Sequence, residues 1–284
     1  MKRLVLGAGG ILGGALAHHY RAGGIPCLAS GHAALDLCDT PAIEGVLDRD
    51  RPECVVNAAA MTAVDLCESE RARAFEVNAA APGRLAAACH KRGIRMVHVS
   101  TDYVFDGAIR RPYHEEDPAR PLGVYAASKL EGESRVLAAA PSALVVRPAW
   151  VFSPGGKTFL CRLRELVATE ETLRVANDRT GNCTYAPDLA TAIEALVARG
   201  AAGIVHFANR GELSWYDFAL ALLDVAPRLD LPVRCRKVEP ISSASLNLPA
   251  KRPPYSVLDT SHYEKLTGNT IRPWRETLPE FLRG

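Results

Sequence analysis

Arg3-Leu4-Val5-Leu6 runs directly into Gly7-Ala8-Gly9-Gly10-Ile11-Leu12-Gly13, and a helical pattern starts near Ile11. A strand, a glycine-dense turn and a helix in that order leave few folds open. Gly7, Gly10 and Gly13 stand at G-x-x-G-x-x-G spacing. Glycine at such positions permits a tight turn, lets backbone N–H groups approach a pyrophosphate and lets the helix pack on the strand, while the helix N-terminus offers partial positive charge. The spacing predicts a dinucleotide loop in which Gly7, Gly10, Ile11, Leu12 and Gly13 hold the cofactor. A merely flexible turn is the other reading, and the flanking strand and helix weigh against it.

Short apolar runs recur at 3 to 8, 25 to 30, 54 to 59, 96 to 101 and 143 to 148, each resembling a strand buried on both faces. Helical spacing fills 11 to 22, 41 to 50, 67 to 92 and 125 to 139. That alternation predicts an α/β fold, a Rossmann-type doubly wound parallel sheet built from βαβ units. A strand near 172 to 177, a helix over 187 to 199, a strand over 203 to 207 and a helix over 214 to 225 follow. The expected division is an NAD(P)-binding core over 1–150, completed by segments near 172–200. A smaller, discontinuous C-terminal substrate-binding lobe takes most of 151–284. Residues 239 to 262 carry Pro240, Pro249, Pro253 and Pro254 and read as irregular lobe.

With 284 residues, 48% of them hydrophobic, the chain can bury the core of one large domain or two joined lobes. Its 34 basic and 32 acidic residues leave a net charge of +2, too little to gather nucleic acid or anionic lipid non-specifically. Neither nucleic acid nor membrane is an expected partner, and no 18-residue apolar window suggests a membrane span. Glycines interrupt the apolar N-terminus at a spacing for which a signal peptide has no use. The eight cysteines form no Cys-x-x-Cys pair and read as free thiols of a cytoplasmic protein.

The second run ends in Ser30-Gly31-His32, where a carboxylate would bond a bare ribose 2'-hydroxyl. With Ser30 there instead, NADPH is favoured over NADH, although NADH stays open. Asp36 and Leu37 come too late for that ribose and are placed near the adenine, with a backbone-satisfied Asp36 the alternative. Tyr125-Ala126-Ala127-Ser128-Lys129 sets a phenol and an ammonium on one helix face. A fixed positive charge favours phenolate, so Lys129 is expected to draw the Tyr125 pKa down towards operating pH. In this reading Tyr125 protonates a carbonyl oxygen, and Lys129 also holds a cofactor ribose. Thr101 and Asp102 follow the strand at 96 to 99, at the end where open α/β sheets bind ligands. Thr101 would polarise the substrate carbonyl. Ala58, Ala59 and Ala60 end the preceding strand and leave room for a flat cofactor.

Five blocks then occur in order: Asn57-Ala58-Ala59-Ala60-Met61-Thr62-Ala63-Val64-Asp65, Ser100-Thr101-Asp102-Tyr103-Val104-Phe105-Asp106-Gly107, Tyr125 to Lys129, Thr184-Tyr185-Ala186-Pro187-Asp188-Leu189-Ala190, and Arg252-Pro253-Pro254-Tyr255-Ser256-Val257-Leu258-Asp259-Thr260-Ser261. Together they resemble the extended short-chain dehydrogenase/reductase superfamily and, within it, the dTDP-4-dehydrorhamnose reductase family. The resemblance implies a Rossmann core binding NADPH or NADH and a lobe holding a dTDP-sugar. By matching position Thr101, Tyr125 and Lys129 are the catalytic set. Thr101, Asp102 and Trp150 meet the sugar, with a lobe-hinge aromatic the other reading of Trp150. The implied reaction reduces the C4 keto group of a dTDP-4-keto-6-deoxy sugar. Alternatives are a reductase of another nucleotide keto-sugar and a non-catalytic NADP-binding regulatory subunit of the same fold. A homodimer is one expected assembly. Some members use Mg2+, but no residue set here marks a metal site. His114-Glu115-Glu116-Asp117 reads as a solvated loop, since adjacent side chains diverge. The chain departs from the family pattern at Ile11, where a Gln is usual. It departs again at Arg147-Pro148-Ala149-Trp150-Val151-Phe152, and at Arg179-Thr180-Gly181-Asn182-Cys183-Thr184 in place of Gln-x-Gly-x-Pro-Thr.

Overall fold

The structure is a computed structural model that describes residues 2–284. In chain order, β1 (Arg3–Leu6), α1 (Ile11–Ala22), β2 (Cys27–Ser30), α2 (Thr40–Asp50) and β3 (Cys54–Asn57) alternate as the sequence suggests. Then come α3 (Val64–Ser69), α4 (Arg71–Phe75), a π-helical turn over Glu76–Ala80, and α5 (Ala81–Lys91). The helix expected over 67 to 92 is therefore broken. The π turn aims Asn78 out of the segment, where its amide bonds Met61 and the Ser128 hydroxyl. Next are β4 (Arg95–Val99), α6 (Val124–Ala139) and β5 (Leu144–Pro148). The chain continues with β6 (Val151–Phe152), α7 (Phe159–Thr169), β7 (Thr172–Ala176), β8 (Thr184–Tyr185), α8 (Ala186–Ala198) and β9 (Gly203–Phe207). It ends with α9 (Trp215–Val225), β10 (Lys237–Ile241), α10 (Ser261–Thr267) and α11 (Leu278–Arg283).

Six strands form one parallel sheet in the order β2-β1-β3-β4-β5-β9. Side chains alternate across it, as a pleated strand requires. Val5, Val56, Val97 and Val146 meet Leu12 and Leu16 of α1 and Leu189 and Ile193 of α8 on one face. Leu4, Val55, Met96 and Val145 meet α2, α5 and α6 on the other. Both faces are covered by helices, which is the doubly wound arrangement. β2 is the exception among the expected buried strands, because it lies at the sheet edge and is only partly covered.

A second apolar cluster gathers Phe152, Leu163, Val175, Phe218 and Phe281 around two small parallel pairs, β10 with β7 and β6 with β8. The strand at 172 to 176 therefore joins this lobe rather than helping to complete the core sheet, whose last strand is β9, with α8 packed on its face. Its exposure explains the difference: Leu173 and Val175 point inward while Thr172 and Arg174 face out, so one side has no layer to cover it. The proline-rich tail also begins more regularly than expected, because Pro240 is accommodated in β10.

The sheet order reverses at β1, with β2 on one side and β3 on the other, and the glycine loop crosses there. Gly7 has φ +81°, and a Cβ on it would fall 2.6 Å from the Ala59 nitrogen; one on Gly13 would fall 2.1 Å from the Gly7 oxygen. Those two contacts seat the loop on β3 and α1 on the loop. Replacing Gly13 by Ala should cost about 1 to 3 kcal/mol through overpacking. Gly9→Ala, whose added methyl would meet nothing within 4 Å, should cost far less. Urea unfolding of the two variants checks the contrast.

Candidate active site

A cavity of about 500 Å³ opens at the C-terminal ends of the core strands, between the sheet and the lobe. Gly10, Ile11 and Leu12 line one side, Ala58 and Ala60 lie below, and Thr101, Asp102, Tyr125, Lys129 and Trp150 complete the circuit. Gly7, Gly13 and Ala59 stand behind this lining, locked together by the backbone contacts just described. The remaining expected residues do not reach the cavity. Ser30 sits beside the glycine loop, its carbonyl accepting from the Ala8 N–H at 3.0 Å. Asp36 Oδ1 accepts from the Cys38 N–H and faces His32 Nδ1 at 3.5 Å, which is the backbone-satisfied alternative. Leu37 is buried with Leu35, Ile43 and Leu47 and serves the core.

The wall opposite the glycine loop is built from β4 and α6. Buried positions on α6 recur as Tyr125, Ser128, Lys129, Gly132, Glu133 and Val136, a stripe at helical spacing that faces the sheet. Tyr125 and Lys129 thus share a face, with 9% and 1% of their surfaces exposed. Beyond β4, Thr101 caps a short 3-10 turn by accepting from the Tyr103 N–H at 3.2 Å, and its hydroxyl donates to Asp102 at 3.1 Å. Ser256 Oγ, from the lobe segment, donates to the other Asp102 oxygen at 2.6 Å. Burial lifts the Asp102 carboxyl to about 7 against these hydrogen bonds.

Burial likewise pushes the Tyr125 phenol above its ordinary value, while a hydrogen bond with Thr101 pulls the other way. The net direction is the opposite of the one expected from Lys129, because burial of the phenol is the largest influence on it. Lys129 Nζ donates to the Val99 carbonyl at 2.6 Å, and desolvation dominates the phenol. Lys129 is itself lowered to about 8 by burial, with Glu133 opposing.

Sequence reasoning gave no role to several residues that the fold brings here. Tyr103 and Arg252 line the cavity, although both lie inside the blocks quoted for the resemblance. Arg252 forks onto Asp65 at 2.9 and 2.6 Å, tying the lobe segment to α3, and hydrogen-bonds Tyr103. Phe159 and Trp215 come from α7 and α9 to form an aromatic wall with Trp150, at ring separations of 4.6 and 5.8 Å. No local spacing marks that wall, because its members are joined only by tertiary packing. Trp150 adopts φ +39° and its Nε1 has no hydrogen-bond partner, so a strained residue with a free donor stands at the cavity edge.

The glycine loop fits a dinucleotide. The N-terminus of α1 is capped by Gly10 with no side-chain bond and carries no acid in its first turn, leaving its N–H groups and dipole for an anion. Ile11, where a Gln is usual, instead packs towards Gly156 and Cys161 of the lobe. Among the described residues no three His, Cys, Asp or Glu side chains gather as a metal site. No helix among them is long and apolar enough to cross a membrane.

Comparison with known proteins agrees with this architecture. The chain is 42% identical over 288 residues to a dTDP-4-dehydrorhamnose reductase of Mycobacterium tuberculosis, covering 99% of this chain and 92% of that protein. Its fold matches a dTDP-4-dehydrorhamnose reductase from Clostridium acetobutylicum with a TM-score of 0.93 at 34% identity, covering 100% and 99% of the two chains. It also matches the enzyme of that name from Bacillus anthracis in complex with NADP, with a TM-score of 0.92 at 29% identity, covering 99% and 98%. The family described as RmlD substrate binding domain matches residues 1–284. The chain belongs to that family, on a match that spans core and lobe together.

Proposed function

We propose that this chain is an NADPH-dependent oxidoreductase that reduces the C4 keto group of a dTDP-4-keto-6-deoxy sugar, converting dTDP-4-dehydro-L-rhamnose to dTDP-L-rhamnose. The observation that carries this reading is the sharing of one cavity wall by Thr101, Tyr125 and Lys129, opposite a glycine loop built for a dinucleotide. The names of the relatives and the NADP held by the Bacillus anthracis enzyme favour it. A bound reduced nicotinamide would supply the hydride. The Tyr125 phenol and the Thr101 hydroxyl, its proton turned from Asp102 towards the substrate, orient the keto oxygen. The phenol, kept protonated by burial, gives up its proton as that oxygen becomes an alkoxide. The Lys129 ammonium, one helical turn along, offsets the phenolate left behind. Trp150 and Asp102 border the sugar.

Tyr125→Phe should bind NADPH normally, by fluorescence titration, yet lose turnover by about 10²-fold or more. Unchanged turnover would remove the phenol from the mechanism. Lys129 carries its charge below its pKa of about 8 and loses it above, so kcat should hold at neutral pH and fall as pH rises through that value. A pH–rate profile at saturating substrate that stays flat through pH 8 and above would contradict a required lysine charge that is lost near 8. Ser30→Asp places a carboxylate at the end of β2 and should lower the NADPH:NADH ratio of kcat/KM by about tenfold or more. Loss of reduced-nicotinamide absorbance on mixing protein, NADPH and a dTDP-4-keto-6-deoxyhexose tests the activity itself. No oxidation across a panel of nucleotide keto-sugars would favour the non-catalytic NADP-binding reading.

A further inference from the structure

A buried polar chain runs from the end of β4 through α6 to β5, beginning one residue from Thr101 and one helical turn from Lys129. Ser100 Oγ donates to the Glu133 carboxylate. Arg147 grips that carboxylate with Nε at 2.8 Å and Nη2 at 2.6 Å, and its Nη1 lies 3.4 Å from His206 Nε2. His206 Nδ1 meets the Tyr113 carbonyl at 3.1 Å, so Nδ1 carries the proton and Nε2 accepts from Arg147. Glu133, Arg147 and His206 are 2%, 3% and 0% exposed. Stability is a weak account of such a chain, since apolar groups of similar volume often serve as well or better.

Its position beside the catalytic wall suggests a different use. Lys129 directs its Nζ to a carbonyl, not a carboxylate. Glu133 on α6 and His98 on β4 interact with its charge, Tyr125 lies one turn before it on α6, and Asp102 just beyond β4 and Cys67 on α3 act on Tyr125. Arg147 on β5 stands behind Glu133. His98 is held neutral by burial and by Lys129 itself. Asp102 has its oxygens engaged by Thr101 and Ser256. Cys67 is held as the thiol by burial. Glu133 is the remaining anion, and its geometry is fixed from both sides.

We propose that Glu133, locked by Arg147 and Ser100, is a positioning residue that supplies the countercharge for Lys129 and ties α6 to the end of β4, keeping hydroxyl, phenol and ammonium in register. The inference rests on the reductase reading above.

Its test is the pH dependence of kcat for the wild type, Glu133→Gln, Glu133→Asp and the double variant Glu133→Gln/Arg147→Met, with NADPH affinity measured alongside. Removing the carboxylate should move the alkaline limb down by about one pH unit, with NADPH binding retained. Glu133→Asp, which keeps the charge, should restore the limb towards its wild-type position. The double variant leaves no orphaned guanidinium and so is less exposed to misfolding; because it also removes the pair's positive charge, its limb should fall less than that of Glu133→Gln, by the excess of the nearer carboxylate. A limb at the wild-type position in whichever charge-removing variant folds overturns the proposal. A wild type without turnover instead sinks the reductase reading, so the two failures are distinct.

Discussion

A lysine with 1% of its surface exposed is an expensive group to hold inside a protein, because an ion taken out of water loses hydration that only well-placed partners can replace. Much of the arrangement around the cavity answers that cost. The Val99 carbonyl receives the ammonium directly at the end of a core strand. The helix that carries it is clamped against the sheet on both sides. Asn78 from the π turn bonds Ser128 on one flank, and Glu133 is forked by Arg147 on the other. The π turn, which interrupts an otherwise regular helical segment, is thereby part of what fixes the catalytic helix.

The cavity is closed by contacts between segments far apart in sequence. Arg252 reaches Asp65 across 187 positions, and Ser256 reaches Asp102 across 154. Both start in one lobe segment and end on core residues next to the site. Asp102 is accordingly the junction where Thr101 on the core and Ser256 on the lobe meet. Burial holds that carboxyl up, to about 7, against the two hydroxyls that donate to it.

Residues whose role depends on local chain geometry were legible before any coordinates. The glycine spacing encodes close backbone approaches, so Gly7 and Gly13 could be read directly. The i, i+4 relation put Tyr125 and Lys129 together, and alternation gave the doubly wound sheet. What was not legible depends on partners brought from elsewhere. β7 carries the same β-branched composition as a core strand, but only its pairing with β10 places it in the lobe. The packing of Leu37 with Ile43 and Leu47, likewise, is set by tertiary contacts that no local spacing marks. The direction of the Tyr125 shift was misjudged for a related reason. Sequence spacing locates the ammonium but not the burial around the phenol, which sets the direction of the shift.

That direction bears on what the phenol is suited to do. A tyrosine drawn down to neutral pH would act equally well as acid and base, whereas one held high by burial keeps its proton and leans towards donation. Donation is what reduction of a carbonyl demands, because the oxygen that gains electron density is a stronger base than phenolate. The difficulty then moves from holding the proton to tolerating the anion left after it goes, on a phenol with only 9% of its surface exposed. A nearby ammonium with a pKa of about 8 meets that difficulty at neutral pH, and it does so only while its own charge is sustained by the protein behind it. On the proposed reading, the cavity wall and the buried ion chain behind it form one electrostatic unit, strengthened by the burial of Lys129, Glu133 and Arg147.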